Sequence, residues 1–568
     1  MTPKQVLGLC LLVLLVGQGT SLYLLNRLSY LRLPSYDASS NDQVYKLFGG
    51  TAEESAYDAN EQILYVVGEE SYVLHIIDMS NPRAPAILME HRFLVTDGVP
   101  RDVEVCGTRV VVSLSSPVAV YDGHVKFFRA YDRVSQTFAY ESQLPVGVFP
   151  DNIKFTSGCS KLIVANEGRH GKDPFNRFSD PEGSVSIISI PTTGSPTERI
   201  ADFNQFNSRQ DIRHVSAFAP NSEIMRATLA QDLEPEYIAV SSDGNTAYVT
   251  LQENNAIAQL DLRQGIVTQL FNLGTKDWSD LQLDASDRDG GIHPRSFPIR
   301  GLYQPDGLKT FSIGRRNYLV TVNEGAVKSY TKEIDGLVWS DGVLADSLGR
   351  GNHLNEIAIN NQTFINELSQ DSRLGRLLVS SIDGATLYGL QSIHTYGGRG
   401  FSIWETSKMS EPVYDSADDI QKINSQAFKT IFNTDCAAWT NQSPETLRDT
   451  TSDNMGPKLN AIDIVNDNGT ILMALGSETM GVVYLYVINT TTLTPELQNV
   501  KYEGGTSDLW SELYDNSNAG NAYISDIGII KASQSPNNQT LVYVVSNGSG
   551  SVAVYSVTDK PSVSNPLG

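Results

Sequence analysis

Positive charge is scarce in this chain: 42 Lys and Arg stand against 65 Asp and Glu, a formal charge of −23 over 568 residues. That excludes a nucleic-acid surface and adhesion to anionic lipid, both of which need basic patches. Long apolar runs are missing too. The run at residues 6–16 has the length of a secretory h-region and falls short of a bilayer span; Lys4 precedes it and the small or polar Gly17, Gly19, Thr20 and Ser21 follow. The reading is a signal peptide over residues 1–21. The alternative is an uncleaved anchor, because residues 22–33 stay leucine-rich, although Arg27 and Arg32 interrupt them. The end of the chain, residues 558–568, has no hydrophobic tail, so neither a lipid-anchor signal nor a second span is expected, and the mature protein is expected to be secreted and extracellular.

Cysteine and catalytic motifs are equally sparse. Of four cysteines, Cys10 leaves with the signal, and Cys106, Cys159 and Cys436 remain. Cys106 and Cys159 each sit near the hairpin turn of consecutive repeats, so they are either a bridge between neighbouring blades or two buried thiols. No Gly-x-Ser-x-Gly elbow and no His-Glu-x-x-His pair occurs, and the eight histidines form no ligand spacing. Asp415-Ser416-Ala417 matches the nucleophile tripeptide of alkaline phosphatases, but the accompanying Asp/His zinc ligands are absent.

What the chain does have is repetition. In residues 235–262, Ile238 and Val240, then Ala247, Val249 and Leu251, alternate with polar residues around the turn Ser242-Asp243-Gly244-Asn245, and a third alternating run follows at residues 256–262. Related units recur around residues 150–168 and 305–325, with weaker copies near residues 56, 100, 373, 460 and 525. Sheet units repeated at unequal spacing cannot bury their faces alone and pack against their neighbours. The fold class is therefore all-β: a single β-propeller of about seven blades, eight being the alternative count, with long polar loop insertions. The propeller domain is placed at residues 45–557, after an N-terminal extension over 22–44 and before a tail over 558–568; the segment 44–48 is the candidate strand that closes the ring. The insertions after Glu167, Pro191, Leu273 and Glu324 leave from comparable points of their repeats and are expected on one face. Short helices are expected in residues 354–368 and 414–455.

Six Asn-x-Ser/Thr sequons, at Asn361, Asn441, Asn468, Asn489, Asn538 and Asn547, point to glycans on exposed loops. At the entry of successive repeats a proline is followed by an acid: Asp151, Glu182, Glu236 and Asp306. In a propeller such positions ring the mouth of the central channel. Carboxylates brought together there repel unless a cation holds them, and Ca²⁺ accepts six to eight oxygens in loose geometry. The competing reading is that each acid accepts N–H bonds within its own turn. A second candidate is the loop carrying Asp284, Asp287 and Asp289, which has the acid spacing of a calcium loop but fails the EF-hand pattern at Ala285; an ordinary acidic Ω-type loop is the alternative. Arg399, in Tyr396-Gly397-Gly398-Arg399-Gly400, is a candidate anion binder; the alternative is that it pairs with a channel carboxylate.

Several of these segments, DPEGSVSII, DLEPEYIAVSSDGNTAYVTLQENNAIA, LDASDRDGG followed by YQPDG, YLVTVNEG and YGGRGFSIWE, resemble those of the choice-of-anchor I proteins, which include the mesenchyme-specific cell-surface glycoproteins of biomineralising animals. The similarity runs over roughly residues 45–557. It implies a secreted or surface-tethered propeller-like glycoprotein associated with skeleton or shell matrix. Where the family has an acidic segment ending in Gly-Pro-Glu-Pro-Glu-Gly, this chain has Lys458 and Asn460, and the last Pro-Glu-Gly is missing near Asp526, so two carboxylates that the resemblance implies are absent. The function expected is that of an acidic glycoprotein of the extracellular or biomineral matrix, binding calcium or a mineral surface and matrix proteins. The alternative is a Ca²⁺-dependent phosphoesterase with its metals at the channel mouth.

Overall fold

The computed structural model describes residues 23–36, 40, 42–218, 227–332, 337–350, 353–436 and 441–560. The segment read as a signal peptide lies outside them.

Seven four-stranded antiparallel sheets follow one another along the chain, each running from an innermost to an outermost strand. The innermost strands are Ser55–Asp58, Val99–Cys106, Pro150–Phe155, Pro235–Val240, Leu308–Ile313, Leu459–Asp467 and Ile524–Ile530; each of the first six contacts the innermost strand of the next blade, and Ser55 of the first donates its hydroxyl to Asp526 of the seventh. The turn expected after Val240 is present: the Asp243 carboxylate accepts from the Ser241 hydroxyl and the Asn245 N–H, and Gly244 takes the left-handed φ of +68° that a side chain resists.

A separate apolar core fills each interface between neighbouring blades. Ile163 and Val185 of the third blade pack with Ile238 and Val249 of the fourth. Leu64 and Val66 of the first pack with Leu541 and Val552 of the seventh, which closes the ring. Each such side chain, fully removed from water, contributes about 1.5–3 kcal/mol, so the ring is held by its interfaces and not by any one sheet.

The closing strand differs from expectation. Tyr23–Arg32 forms the outer edge of the seventh blade, pairing antiparallel with Ser551–Asp559. The 44–48 segment does not close the ring; Gln43–Val44 makes only a short pair with Ser35–Tyr36. The leucine-rich residues 23–32 are thus blade and not extension, because Leu25 and Leu31 turn toward the sheet cores while Asn26 and Arg27 stay exposed.

The insertions after Glu167, Leu273 and Glu324 leave from one face, whereas the stretch after Pro191 leaves from the other, beside Ser160, and first runs through the outer strand Thr197–Asp202. Thr275–Asp277 and Arg300–Leu302, from the connection into the fifth blade, join Gly342–Leu344, Leu378–Ser380 and His394–Thr395, from within that blade, in one five-stranded sheet over a core around Trp278, Phe297 and Leu377. Two short helices, Glu356–Ile359 and Gln362–Glu367, are capped by Asn355 and Asn361, and Asp419–Ala427 is the helix of the later insertion. On the opposite face, Cys106 at the end of the second blade's inner strand bonds to Cys159 in the first turn of the third blade, with a Cα–Cα distance of 5.6 Å. Cys436 is a buried free thiol.

Candidate functional site

The inner strands begin irregularly. Pairing with the second strand skips between Pro100 and Val103, Pro150 and Ile153, Pro235 and Ile238, Leu459 and Ala461, and Ile524 and Asp526. A bulge leaves its extra residues unpaired and re-aims their side chains. Arg101, Asp151 and Glu236 occupy these positions. Asp306 stands at the equivalent point of the fifth blade, its N–H on the Val322 carbonyl at 3.1 Å, and Glu53 at that of the first, its N–H on Val67 at 2.8 Å. The turn between second and third strands reaches the same rim, and it repeats an acid: Glu69, Glu167, Glu253, Glu324 and Glu478.

These two sets form a continuous electrostatic circuit. Burial pushes the Glu236 carboxyl well above the ordinary range, and the charges of Glu253, Asp306, Glu167 and Asp151 push it further. Asp306 is raised by burial, then by Glu324, Asp151 and Glu478. Glu53 is raised by burial, then by Glu69, Glu478 and Glu70. Burial, opposed by the nearby Arg169, raises Glu167. Glu253, by burial and then Glu234, and Glu478, by burial against Lys458, are each raised to about 7. Around the mouth, Glu53, Glu69, Asp151, Glu167, Glu236, Glu253, Asp306, Glu324 and Glu478 outnumber the cations Arg101, Arg169, Lys328 and Lys458. Arg101 pairs with Glu69. Arg169 reaches Glu167 at 2.9 Å, and Lys458 bridges Glu324 at 2.9 Å and Glu478 at 2.5 Å. Glu236 Oε2 and Glu253 Oε2 are buried without a hydrogen-bond partner. Such orphaned acceptors cost about 1–3 kcal/mol each.

Below the rim one hydrogen bond joins opposite blades. The Tyr237 hydroxyl donates to Glu54 Oε1 at 2.5 Å, and a cavity of about 20 Å³ beneath it is lined by Lys154, Lys309, Asn460 and Asp526.

Of the four Pro-acid candidates, the structure therefore gathers Asp151, Glu236 and Asp306. Glu182 is a correction. It is exposed and accepts the Asn204 amide at 2.9 Å, because Pro181-Glu182-Gly183 leads into Ser184–Ser189, the third strand of its blade and not the innermost. Arg399 is a second correction: the acids whose charges reach it are Asp284, Asp453 and Asp449, none of them at the channel. It is fully buried and donates to the backbone carbonyls of Asp284, Ser452 and Asn454 at 2.6, 2.8 and 2.8 Å. Asp284, Asp287 and Asp289 lie away from the ring, in the connection between fourth and fifth blades. Ser416 is buried and its hydroxyl accepts the Phe401 N–H, a structural use of that tripeptide.

Asn361, Asn441, Asn468 and Asn538 are exposed, and Asn489 is half-buried. Asn547 is half-buried at the channel mouth, where its amide nitrogen, the atom that a glycan would take, donates to Glu53. The second set of acids was missed from sequence. Its signal was present in the Asn-Glu-Gly triplets at residues 166–168 and 323–325. Among the described residues, no three His, Cys, Asp or Glu side chains already stand close enough to hold a metal ion as placed.

The mesenchyme-specific cell surface glycoprotein of Strongylocentrotus purpuratus is 20% identical, covering 84% of this chain and 83% of its own. Among solved structures, Kuenenia stuttgartiensis hydrazine synthase superposes with a TM-score of 0.42 at 10% identity, over 93% of this chain and 99% of that one. The WD40 domain of Toxoplasma gondii coronin gives 0.44 at 9% identity, over 96% and 88%. The family model of the choice-of-anchor I domain matches residues 53–491, and the chain belongs to that family.

Proposed function

We propose that this protein is an extracellular or cell-surface glycoprotein whose channel mouth collects divalent cations, Ca²⁺ above all, and through them engages a mineral surface or acidic matrix partners. The carboxylate circuit carries this reading. Its members are spaced around a rim and not drawn into one chelate, which suits several partly hydrated cations or the regularly spaced cations of a mineral face better than a single dehydrated ion. All the donors are hard oxygens, the ligand type that Ca²⁺ takes and softer metals do not select. Without cations, the buried members hold protons; a cation supplies the missing positive charge instead. The sea-urchin relative's description as a cell surface glycoprotein and the exposed sequons support the location.

Thermal unfolding at constant ionic strength tests this. Ca²⁺ on the order of 1 mM, the affinity range of extracellular modules, raises the Tm of the wild type, and Glu236→Gln combined with Asp306→Asn blunts the rise. An identical rise from K⁺ of equal ionic strength contradicts the reading.

A further inference from the structure

Over the outer edge of the fourth blade lies a cleft of about 450 Å³, within the range of roughly 300–1,000 Å³ that small-ligand sites occupy. Stretches far apart in sequence wall it: residues 209–214 with Phe218, from the connection between third and fourth blades; Asn272, Gly274 and Thr275, where the fourth blade's outer strand ends; and residues 382–385 with His394, from the insertion within the fifth blade. Arg213 fastens them together. Its Nε and Nη2 donate to Asp383 at 2.9 and 2.7 Å, Nη2 also meets Asp341, and Nη1 donates to the Glu253 carbonyl at 2.7 Å. The side chain is 7% exposed. A guanidinium fork held by three partners fixes the walls, so the cleft is built before any ligand arrives.

The charges on these walls are already matched. Arg213 is committed to Asp383 and Asp341, and Arg209 grips Asp211 through two bonds of 2.6 Å, which leaves neither arginine for a phosphate or carboxylate ligand. What remains is hydrogen bonding of both senses. Asp383 uses Oδ2 for Arg213 and for the Ser380 hydroxyl, so Oδ1 is an acceptor with no partner among the described residues. Burial holds the His394 imidazole below its usual range; at neutral pH it is uncharged, one ring nitrogen donating and the other accepting. The Thr275 hydroxyl can do either. Leu302, Ile382 and Phe218 add apolar surface, and Phe218 is 54% exposed. Uncharged donors and acceptors beside an exposed aromatic ring suit a ligand with polar edges and an apolar face. A sugar ring has both, its hydroxyls along the edge and C–H groups on the face.

We propose that this cleft is a carbohydrate-binding site, separate from the channel mouth, that takes a neutral sugar unit at the end of a glycan chain. Asp383, His394 and Thr275 bond to its hydroxyls, and Phe218 packs against its ring. The site works without a cation, so it is independent of the calcium reading.

Saturation-transfer NMR of the full chain in chelator tests the site. The probes are the methyl glycosides of glucose, galactose, mannose and N-acetylglucosamine, with glucuronic acid and glucosamine as charged comparators. The expected result is transfer to a neutral glycoside, stronger than to either charged sugar. Phe218→Ala, at an exposed position that the fold does not need, weakens that affinity about three- to tenfold, as the loss of an aromatic contact does. Thr275→Val keeps the side chain's shape, removes the hydroxyl and weakens it about fivefold or more. Glu236→Gln at the channel mouth leaves it unchanged, which separates this site from the channel-mouth reading. The proposal is overturned by no transfer to any of the neutral glycosides, by stronger transfer to a charged sugar, by transfer that requires Ca²⁺, or by Phe218→Ala and Thr275→Val variants that both bind like wild type.

Discussion

The hydroxyl of Tyr237 and the carboxyl of Glu54 meet at 2.5 Å although 183 residues separate them. Tyr237 is the third residue of the inner strand of the fourth blade and Glu54 immediately precedes that of the first, as far apart as two blades of a seven-membered ring can be. Burial, then the charges of Asp526 and Asp102, raise Glu54 well above the usual range, and the tyrosine opposes them. Tyr237→Phe removes the donor and leaves the buried carboxyl unsatisfied, at a cost of about 1–3 kcal/mol. Denaturant unfolding of Tyr237→Phe, Glu54→Gln and the double variant measures the coupling. Strictly additive losses would mean that the contact does not bind the ring across its channel.

Lys458 stands where the family resemblance implies an acid, and it bridges Glu324 and Glu478. In Lys458→Glu the partly buried pair loses its counter-charge, so the variant is destabilised by about 3–5 kcal/mol in chelator. Calcium is expected to recover most of that loss. A variant equally unstable with and without Ca²⁺ would show that the mouth cannot exchange a lysine for a cation.

The stability of the cation-free protein depends on pH in a definite direction. Glu253 and Glu478 ionise near 4.5 when unexposed to the fold and at about 7 within it. Between those values the folded chain binds more protons than the unfolded one, so stability falls as pH rises from about 4.5 to 7. Saturating Ca²⁺ removes the need for those protons and flattens the profile. Melting curves at pH 5, 6, 7 and 8 (approximate steps chosen to span this window), with chelator or Ca²⁺, display both slopes.

The Cys106–Cys159 bond closes a span of 53 residues and staples the second blade to the third. Replacing both cysteines with serine is expected to cost about 2–4 kcal/mol, read as a lower denaturant midpoint with the propeller's circular dichroism retained. Burial also raises the Cys436 thiol well above its usual range, so a maleimide labels it only after unfolding.

The blades were legible because strand alternation and turn chemistry are local: Ile238, Val249 and the Asp243-Gly244 turn announce a hairpin without help from the rest of the chain. The channel acids were half legible. Pro150-Asp151 and Pro235-Glu236 mark a bulge that local sequence encodes, and Pro181-Glu182 imitates it, because sequence does not tell an inner strand from a third strand when an insertion intervenes. The closing strand was hidden by its position, since a leucine-rich segment after a signal reads as leader until its partner 520 or so residues later is known (the separation follows from the Tyr23 to Asp559 and Arg32 to Ser551 pairs). Arg399 was misread for the opposite reason: glycines around an arginine suit anion binding, and only the fold shows three carbonyls already occupying it. The meeting of the Asp284 and Ser452 loops on Arg399 was not legible at all, because it depends on two loops that only the closed ring brings together.

The central claim, that cations replace protons at the channel mouth, is tested most directly by counting protons released when Ca²⁺ binds. Calorimetry of the full chain near pH 6, in two buffers of different ionisation enthalpy, gives that number. The account predicts release of at least one proton per Ca²⁺ bound, diminishing toward pH 8 as the carboxyls ionise unaided, and reduced in Glu236→Gln. Calcium binding without proton release at pH 6, or no binding at any pH, would contradict it.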